Sequence, residues 1–167
     1  MKIININGPM NAGKTTISKL LVSELKVALF IEVDDLLSDE EQKVLGLSRE
    51  EGWRERVKRL NTILSQEKEK AQYEYIIFAY PMTEKLYWQW KSLENTETAF
   101  INITLAPQLE ICLQNRGDRE LNDKEKDRIK EMYQQGYHNS VLADLIIDNS
   151  AQSPNDTLQQ ILAFLGK

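Results

Sequence analysis

The stretch "INGPMNAGKTTIS", residues 6–18, places two glycines between an apolar, β-branched run and a helical pattern. Residues 2–7 alternate isoleucine with polar side chains, which is typical of a strand. Gly8 and Gly13 interrupt that pattern and mark a tight turn. Apolar residues then recur at helical spacing at Ile17, Leu20, Leu21 and Leu25. The sequence therefore predicts a strand, a glycine turn and a helix in succession.

The turn from Gly8 to Thr15 matches the pattern G-x-x-x-x-G-K-T. Glycines let the backbone wrap around phosphates with its amides pointing inward, and the start of the following helix adds positive potential. In this pattern the ammonium of Lys14 reaches the β- and γ-phosphates and the hydroxyl of Thr15 is a Mg²⁺ ligand. The residues predicted to contact a nucleoside triphosphate here are Gly8, Pro9, Met10, Asn11, Ala12, Gly13, Lys14, Thr15 and Thr16.

The composition limits the function classes. The chain has 167 residues, a size that fits one domain spanning residues 1–167. Its formal net charge of −5 argues against a nucleic-acid partner. No run approaches the roughly 20 apolar residues of a membrane span, and no secretory leader is visible, so we expect a cytoplasmic protein without a membrane partner. The single cysteine, Cys112, is expected to be a small buried core residue.

Four more strands are predicted, each a short apolar run. They lie in "VALFIEVD", which ends at Asp34, in "YEYIIFAYP", in "ETAFINITLAP" and in "ADLIIDNS". Helical segments separate them, one opening on the capping box "SREE" at Ser48 and another on Ser153 with Pro154 in its first turn. Alternating strands and helices predict an α/β fold with three layers, in which helices cover both faces of a five-stranded parallel sheet.

A phosphate-binding turn serves many kinds of protein, so other residues must decide its use. The D-x-x-G and N-K-x-D patterns of GTPase switches are absent from the sequence. The third strand, "IIFAYP", ends without the acidic residue typical of motor ATPases. Asp34 and Asp35 instead follow the second strand, at the sheet edge where ligands bind. There a carboxylate can accept a hydroxyl proton or hold a Mg²⁺-bound water, although the pair is also typical of a helix N-cap.

Four segments together resemble the small P-loop kinases of the shikimate kinase, chloramphenicol phosphotransferase and adenylate kinase group. They are "GPMNAGKTT", "EVDDL", "CLQNRGDR" and "ADLIIDNSAQSPNDTLQQIL". The resemblance implies a P-loop NTPase fold with strand order 2-3-1-4-5 and a lid at about residues 116–125. It also implies that Arg116 and Arg119 are lid arginines, Arg119 serving the charge that develops in transfer, and that Asn149 and Ser150 lie near the base. The alternative is that "RGDRELNDKEKDR" is a solvated charged loop.

Other residues concern the molecule that receives the phosphate. The segment "EEGWRERVKR" resembles the pattern with which shikimate kinases bind a carboxylate-bearing substrate, which makes Arg54 a candidate, with Arg49, Arg56 and Arg59 as solvent-facing alternatives. The segments "FAYPMT" and "VDD" depart from the shikimate kinase pattern, so a different acceptor is preferred. Tyr80, together with Pro81, Tyr87, Trp88 and Trp90, forms either an aromatic acceptor wall or ordinary packing. His138 is expected at the surface or a helix end.

The sequence thus predicts an ATP- and Mg²⁺-dependent phosphotransferase that moves the γ-phosphate to a hydroxyl of a small-molecule acceptor, acting as a monomer or homodimer. Its predicted catalytic residues are Lys14, Asp34 and Arg119; its metal ligands are Thr15 and Asp34; its substrate-binding residues are Asp34, Asp35, Arg54 and Tyr80. Arg116, Asn149 and Ser150 complete the predicted ATP site. A nucleoside or nucleotide kinase is the alternative among enzymes, and a non-catalytic nucleotide-binding regulatory protein is the alternative outside them.

Overall fold

A five-stranded parallel sheet in the order β2-β3-β1-β4-β5 organises the protein. The computed structural model describes residues 1–115 and 120–167. The strands are β1 (Lys2–Asn7), β2 (Ala28–Ile31), β3 (Tyr75–Ala79), β4 (Ala99–Leu105) and β5 (Leu145–Ile147). The predicted strand order is therefore confirmed.

Helices lie on both faces of this sheet. They are α1 (Lys14–Glu24), α2 (Asp39–Val44), α3 (Arg49–Lys70), α4 (Glu84–Lys91), α5 (Leu109–Cys112), α6 (Asp123–Gln134) and α7 (Pro154–Phe164). Two predicted helix starts are confirmed. Ser48 and Glu51 form a reciprocal capping box at α3, and Ser153 caps α7 with Pro154 in its first turn.

Two hydrophobic clusters bind the helices to the sheet. On one face, Ile4 and Ile6 of β1 pack in a cluster shared with α1, α6 and α7. On the other face, Ile3 packs with Leu60 and Leu64 of α3. Fully burying a leucine side chain stabilises the fold by about 1.5–3 kcal/mol, so these contacts fix the helices firmly. Cys112 belongs to the first cluster and is buried, as expected.

The end of the second strand was predicted wrongly. β2 pairs with β3 only from Ala28 to Ile31, and residues Val33–Leu36 form a 3₁₀ helix. Asp34 and Asp35 are exposed within that helix. Because aspartate is a poor strand former and β3, the partner of β2, ends at Ala79, the chain leaves the sheet before reaching them.

No helix within residues 1–115 and 120–167 combines the length and the apolar character that crossing a membrane requires.

Candidate active site

A cleft of about 1280 Å³ opens at the carboxyl ends of the parallel strands. Ligands bind at this edge of open parallel sheets, because the connections to the helices diverge there. The glycine turn lines one part of the cleft, residues that follow β2, β3 and β5 line another, and residues of α3 and α6 line the rest. One cavity therefore joins the predicted phosphate site to side chains from three other connections.

The glycine turn has the backbone that the sequence pattern requires. Gly8 and Gly13 have φ angles of 137° and 91°, in the region that side chains rarely adopt. A Cβ atom on Gly8 would lie 2.4 Å from the carbonyl oxygen of Leu105, so β4 leaves no room for one. Gly13 precedes α1 and supplies no side-chain cap. The first amides of α1 consequently point toward the cleft without a capping side chain, as an anion-binding helix start requires.

Lys14 begins α1 and lies across the turn. Its ammonium Nζ donates a hydrogen bond to the carbonyl of Pro9 at 2.7 Å. Lys14, Thr15 and Thr16 all line the cleft. The cation and two hydroxyls therefore stand beside the amides of the turn.

Three neighbouring elements hold the turn in place. The amide of Asn11 donates to the carbonyls of Cys112 and Gln114, both at 2.9 Å. The amide of Asn149 donates to the carbonyl of Ala12 at 3.1 Å. Asn149 thus lines the cleft and supports the turn at the same time. Met10 contacts α6 through its backbone N–H, 3.4 Å from the sulfur of Met132.

Ser150, predicted beside Asn149, is directed elsewhere. Its hydroxyl accepts a hydrogen bond from the backbone N–H of Gln108 at 2.7 Å and donates to Asp148. Ser150 is not among the residues that line the cleft. The structure therefore places Asn149 at the cleft and Ser150 behind it.

Acidic side chains gather where β2 ends. Glu32 and Asp34 line the cleft, whereas Asp35 does not. Burial raises the pKa of the Glu32 carboxyl, and the charges of Asp34 and Asp35 raise it further, against the opposing effect of Lys19 and Lys14. Glu32 was not predicted from the sequence. Its position two residues before Asp34, directly after an apolar run, was the available signal.

The aspartate pair does not cap a helix. Asp34 and Asp35 lie inside the 3₁₀ helix, whose N-cap is Glu32, and α2 is capped by the hydroxyl of Ser38. Asp34 is therefore an exposed carboxylate in the cleft rather than a capping residue.

Aromatic side chains line the cleft opposite the turn. The rings of Trp53 and Tyr80 meet edge to face, with centroids 6.1 Å apart. Burial raises the pKa of the Tyr80 hydroxyl to about 12, with smaller contributions from Tyr137 and Asp34. Tyr80 and its neighbour Pro81 line the cleft, as does Tyr137.

The other predicted aromatic residues do not line the cleft. Trp90 is buried in the core, with its ring centroid 4.8 Å from that of Phe78. Trp88 is exposed and stands edge to face with Tyr87. Of the five residues predicted as an aromatic wall, Tyr80 and Pro81 therefore line the cleft, and the other three lie in the core or at the surface.

The arginines of α3 lie on different faces of the helix, and two of them line the cleft. Arg54 is exposed, pairs with Glu50 at 2.5 Å and does not line the cleft. Arg56 is buried and lines it, with its guanidinium 5.1 Å from the centroid of Trp53. Arg49 also lines the cleft and makes no ion pair with any residue of the described part of the chain. Arg59 pairs with Glu41 and Glu55.

Arg56 is held by neutral acceptors. Its guanidinium donates to the carbonyl of Leu37 at 2.7 Å and to Oε1 of Gln42 at 3.2 Å, while its nearest carboxylate oxygen, on exposed Asp39, is 3.9 Å away. A buried cation without a close carboxylate leaves positive potential at the cleft wall.

Replacing Arg56 with alanine is expected to destabilise the protein by about 2–3 kcal/mol, because the buried carbonyl of Leu37 and the half-buried side-chain oxygen of Gln42 lose a charged donor. Arg54→Ala is the matched control from the same helix, and since Arg54 is exposed it should leave the urea midpoint unchanged. Equilibrium unfolding in urea measures both. Equal midpoints for the two variants would contradict the placement of Arg56.

The predicted lid at residues 116–125 is described only in its second half. Arg116 and Arg119 lie outside the described residues. Leu121 is buried, Asn122 caps α6, and residues 123–125 form the first turn of that helix. Glu125, Arg128 and Met132 of α6 line the cleft, so this helix forms one of its walls. Arg128 was not predicted from the sequence, because its segment, DKEKDRIKE, is charged throughout and no single charged residue stands out in it.

His138 follows α6, close to the expected helix end. Its ring is half-buried and stacks on Tyr133, with centroids 4.6 Å apart. Within the described residues it is not among those that line the cleft.

One comparison with known proteins identifies a family, and the solved structures support the fold. The family model described as shikimate kinase matches residues 10–166. A search of curated protein sequences found no match. Among solved structures, the tunicamycin resistance protein of Deinococcus radiodurans is 20% identical with a TM-score of 0.67, over 99% of this chain and 95% of that one.

Two kinases are similar to a comparable degree. The shikimate kinase of Bacteroides thetaiotaomicron is 17% identical with a TM-score of 0.64, over 99% of this chain and 98% of that one. The gluconokinase of Sinorhizobium meliloti 1021 is 16% identical with a TM-score of 0.64, over 99% of this chain and 91% of that one. At such identities the structural likeness establishes the fold.

Proposed function

This chain belongs to the shikimate kinase family, and from that premise we propose that it is a phosphotransferase that uses ATP and Mg²⁺ to phosphorylate a hydroxyl of a small-molecule acceptor. One observation carries the proposal: the phosphate-binding turn, the carboxylate of Asp34 and the aromatic pair Trp53–Tyr80 share one cleft. Transfer requires donor and acceptor in a common cavity, because positioning supplies much of the rate.

The nucleotide phosphates would occupy the turn. Backbone amides of Asn11 and of residues 13–16, which line the cleft, would bind the β- and γ-phosphates. The ammonium of Lys14 would exchange its bond to Pro9 for one to phosphate oxygen. Asn149 is proposed to act on the base side of the site, since it lines the cleft together with Gln152 and Pro154. Ser150 would act from behind it, by fixing the connection that carries Asn149.

The donor atoms at the cleft fit Mg²⁺. The hydroxyl of Thr15 and the carboxylate of Asp34 are hard oxygen ligands on the same cavity, and Mg²⁺ is ordinarily held by one or two such groups plus phosphate oxygens and water. When bound, the ion would neutralise charge on the transferred phosphate. Glu32, beside Asp34, adds a second carboxylate within the cleft.

Asp34 is proposed to accept the proton of the acceptor hydroxyl. Its carboxylate is exposed to the cleft and makes no cap bond that would occupy it. Arg119 is proposed to bind the phosphoryl group during transfer and Arg116 to contact the base, both as implied by the family pattern. The exposed cation Arg49 and the buried cation Arg56 take the part in acceptor binding that the sequence suggested for Arg54.

The acceptor would present a flat face to Trp53 and Tyr80 and a negative group to Arg49 and Arg56. Aromatic faces favour sugar rings or planar rings, and a guanidinium favours a carboxylate or phosphate. A nucleoside or nucleotide acceptor would also fit such a wall by stacking. A screen of hydroxy acids, sugars, nucleosides, aminoglycosides and phenicols with γ-labelled ATP separates these classes. Nucleotide binding without any labelled product would favour a regulatory protein instead.

Asp34→Asn is expected to reduce phosphoryl transfer about a hundredfold, because the amide cannot take the hydroxyl proton. Asp35→Asn is the matched control, since Asp35 has the same charge one residue away and does not line the cleft. Rates of product formation with the acceptor found in the screen measure both variants. If the two substitutions have equal effects, Asp34 is not the base.

A further inference from the structure

We propose that Asn5 is a positioning residue for the acceptor side of the cleft, which it holds through a buried hydrogen-bonded rung under Tyr80. Its role in acceptor binding rests on the proposed function, whereas its control over the position of Tyr80 does not. Asn5 lies in the central strand β1, is fully buried and does not line the cleft. Its effect on the acceptor is therefore indirect, and Tyr80 is a cleft residue that Asn5 contacts.

The first rung crosses the sheet between β1 and β4. The register places Asn5 opposite Asn102, and Nδ2 of Asn5 donates to Oδ1 of Asn102 at 3.0 Å. The same Asn5 amide donates to the carbonyl of Tyr80 at 3.1 Å, and its Oδ1 accepts the backbone N–H of Tyr80 at 3.0 Å. At the other end, Nδ2 of Asn102 donates to the carbonyl of Leu142 at 3.0 Å.

The hydrogen bonds between Asn5 and Tyr80 continue the pairing of β3 one residue beyond the end of that strand. β3 ends at Ala79, so the backbone of Tyr80 has no ladder partner. Asn5 satisfies both the N–H and the carbonyl of Tyr80 with one side chain. The backbone of Tyr80 is thereby fixed at two points while its ring lines the cleft.

A second rung lies one step nearer the cleft. Asn7 stands opposite Thr104, and its Nδ2 donates to the Thr104 hydroxyl at 2.9 Å. Its Oδ1 accepts the backbone N–H of Met82 at 2.8 Å, and its Nδ2 also lies 3.5 Å from the carbonyl of Tyr137. The two rungs hold the same connection after β3 from below.

Packing alone does not require these side chains. Strands covered on both faces are usually continuous apolar runs, and at the start of this face β1 and β4 carry Ile3 and Phe100. Asn5 and Asn102 replace such residues where the strands approach the cleft. A buried amide is costly unless its hydrogen bonds are made, so amides are favoured only where a backbone needs to be held.

The ring of Trp53 reports the position of Tyr80 without any acceptor. The two rings are in edge contact, and Trp53 is 36% exposed whereas Trp90 is buried. Trp88, which is 58% exposed, is removed as Trp88→Phe. In that background acrylamide quenching of tryptophan fluorescence measures access to Trp53.

Asn5→Leu is expected to raise the acrylamide quenching constant of Trp53 about twofold, since Tyr80 loses both backbone partners. If that variant folds poorly, Asn5→Leu/Asn102→Leu tests the same point, because an apolar pair leaves no unpartnered side-chain amide on the rung. Thr104→Val is the control: it removes one buried hydrogen bond of the same strands and does not touch Tyr80, so quenching should match the Trp88→Phe parent. Unchanged quenching in both asparagine variants, or an equal rise in Thr104→Val, would overturn the proposal.

The kinetic readout uses the acceptor identified by the screen. Asn5→Leu should raise the KM for that acceptor about tenfold and leave the KM for ATP within about twofold, because only the acceptor wall moves. A purely structural role would lower the melting temperature without this split, and an equal rise in both KM values would contradict the assignment. Failure of the screen itself would count against the proposed function, while the quenching experiment would still decide the position of Tyr80.

Discussion

Replacing Lys14 with alanine is expected to lower kcat for phosphoryl transfer about a thousandfold, the upper range for removal of one preorganised donor to developing charge. A thousandfold corresponds to about 4 kcal/mol of transition-state stabilisation. Lys14 begins α1 beside the amides of the turn, and its ammonium is already directed across the loop at Pro9. The charge therefore needs little reorganisation to meet phosphate oxygens.

The control for this variant is Lys26→Ala, which removes an exposed lysine just beyond the other end of α1. We expect its kcat to equal that of the parent protein. A second measurement is the rise in melting temperature on adding MgATP, which should shrink in Lys14→Ala because ligand binding stabilises only the folded state. A loss of less than tenfold in kcat would show that Lys14 does not bind the transferred group.

The glycine turn was predictable because its determinants are local. Gly8 and Gly13 meet a backbone requirement, and Lys14 and Thr15 follow at fixed positions in the same helix start. No distant residue is needed to recognise the pattern. The sheet order, in contrast, came from the resemblance to a family, since spacing along the chain does not state which strands are neighbours.

The face of α3 was predicted less well. The helical spacing of Trp53, Val57, Leu60 and Leu64 predicts one apolar face. Leu60 and Leu64 are buried as that spacing predicts, but Gly52 and Arg56 are buried in place of Trp53 and Val57. Two residues of the buried face, Gly52 and Arg56, have no large apolar side chain, so the sequence pattern does not show them as buried. Arg56 reads as a surface residue until the carbonyl of Leu37 and the amide of Gln42 are placed against it. Leu37 and Gln42 are 19 and 14 residues from Arg56 in the sequence, so only the fold shows that they contact it.

Gly52 lies where the side chain of Gln42 from α2 meets α3. A Cβ on Gly52 would lie 2.3 Å from Oε1 of Gln42, so α2 approaches α3 closely at this residue. Gln42 also donates to the carbonyl of Ser48, across the turn between the helices. Arg54 is two residues from Arg56, about 200° around the helix, and points to the opposite side. The choice between the two arginines thus depended on a contact that the local pattern does not contain.

Polar residues in the central strands carried a signal that was not used. A strand covered by helices on both faces is expected to be apolar throughout, and Asn5 and Asn7 depart from that expectation. The departure indicates that a buried partner exists. It does not identify Tyr80 and Met82, because the partners belong to a connection about 75 residues away.

Gly8→Ala is expected to destabilise the protein by about 4 kcal/mol, the sum of a backbone penalty and an overpacking penalty. The φ of 137° is nearly restricted to glycine, and the added Cβ would meet the carbonyl oxygen of Leu105 at 2.4 Å. That oxygen belongs to the backbone of β4, which cannot rotate aside as a side chain can. Against a typical total of about 5–15 kcal/mol, such a loss removes between about a quarter and four-fifths of the stability.

Gly46→Ala is the control variant, because it has a backbone penalty without a contact at the new Cβ atom. Gly46 also has a positive φ, 64°, but nothing lies within 4 Å of its Cβ position. Its substitution should cost only the left-handed backbone penalty of about 1 kcal/mol. Urea unfolding of the two variants is therefore expected to differ by about 3 kcal/mol, which combines the contact with β4 and the higher backbone penalty at φ 137°. Equal losses would mean that β4 yields to the new methyl group, and that close packing against Leu105 is not what restricts residue 8 to glycine.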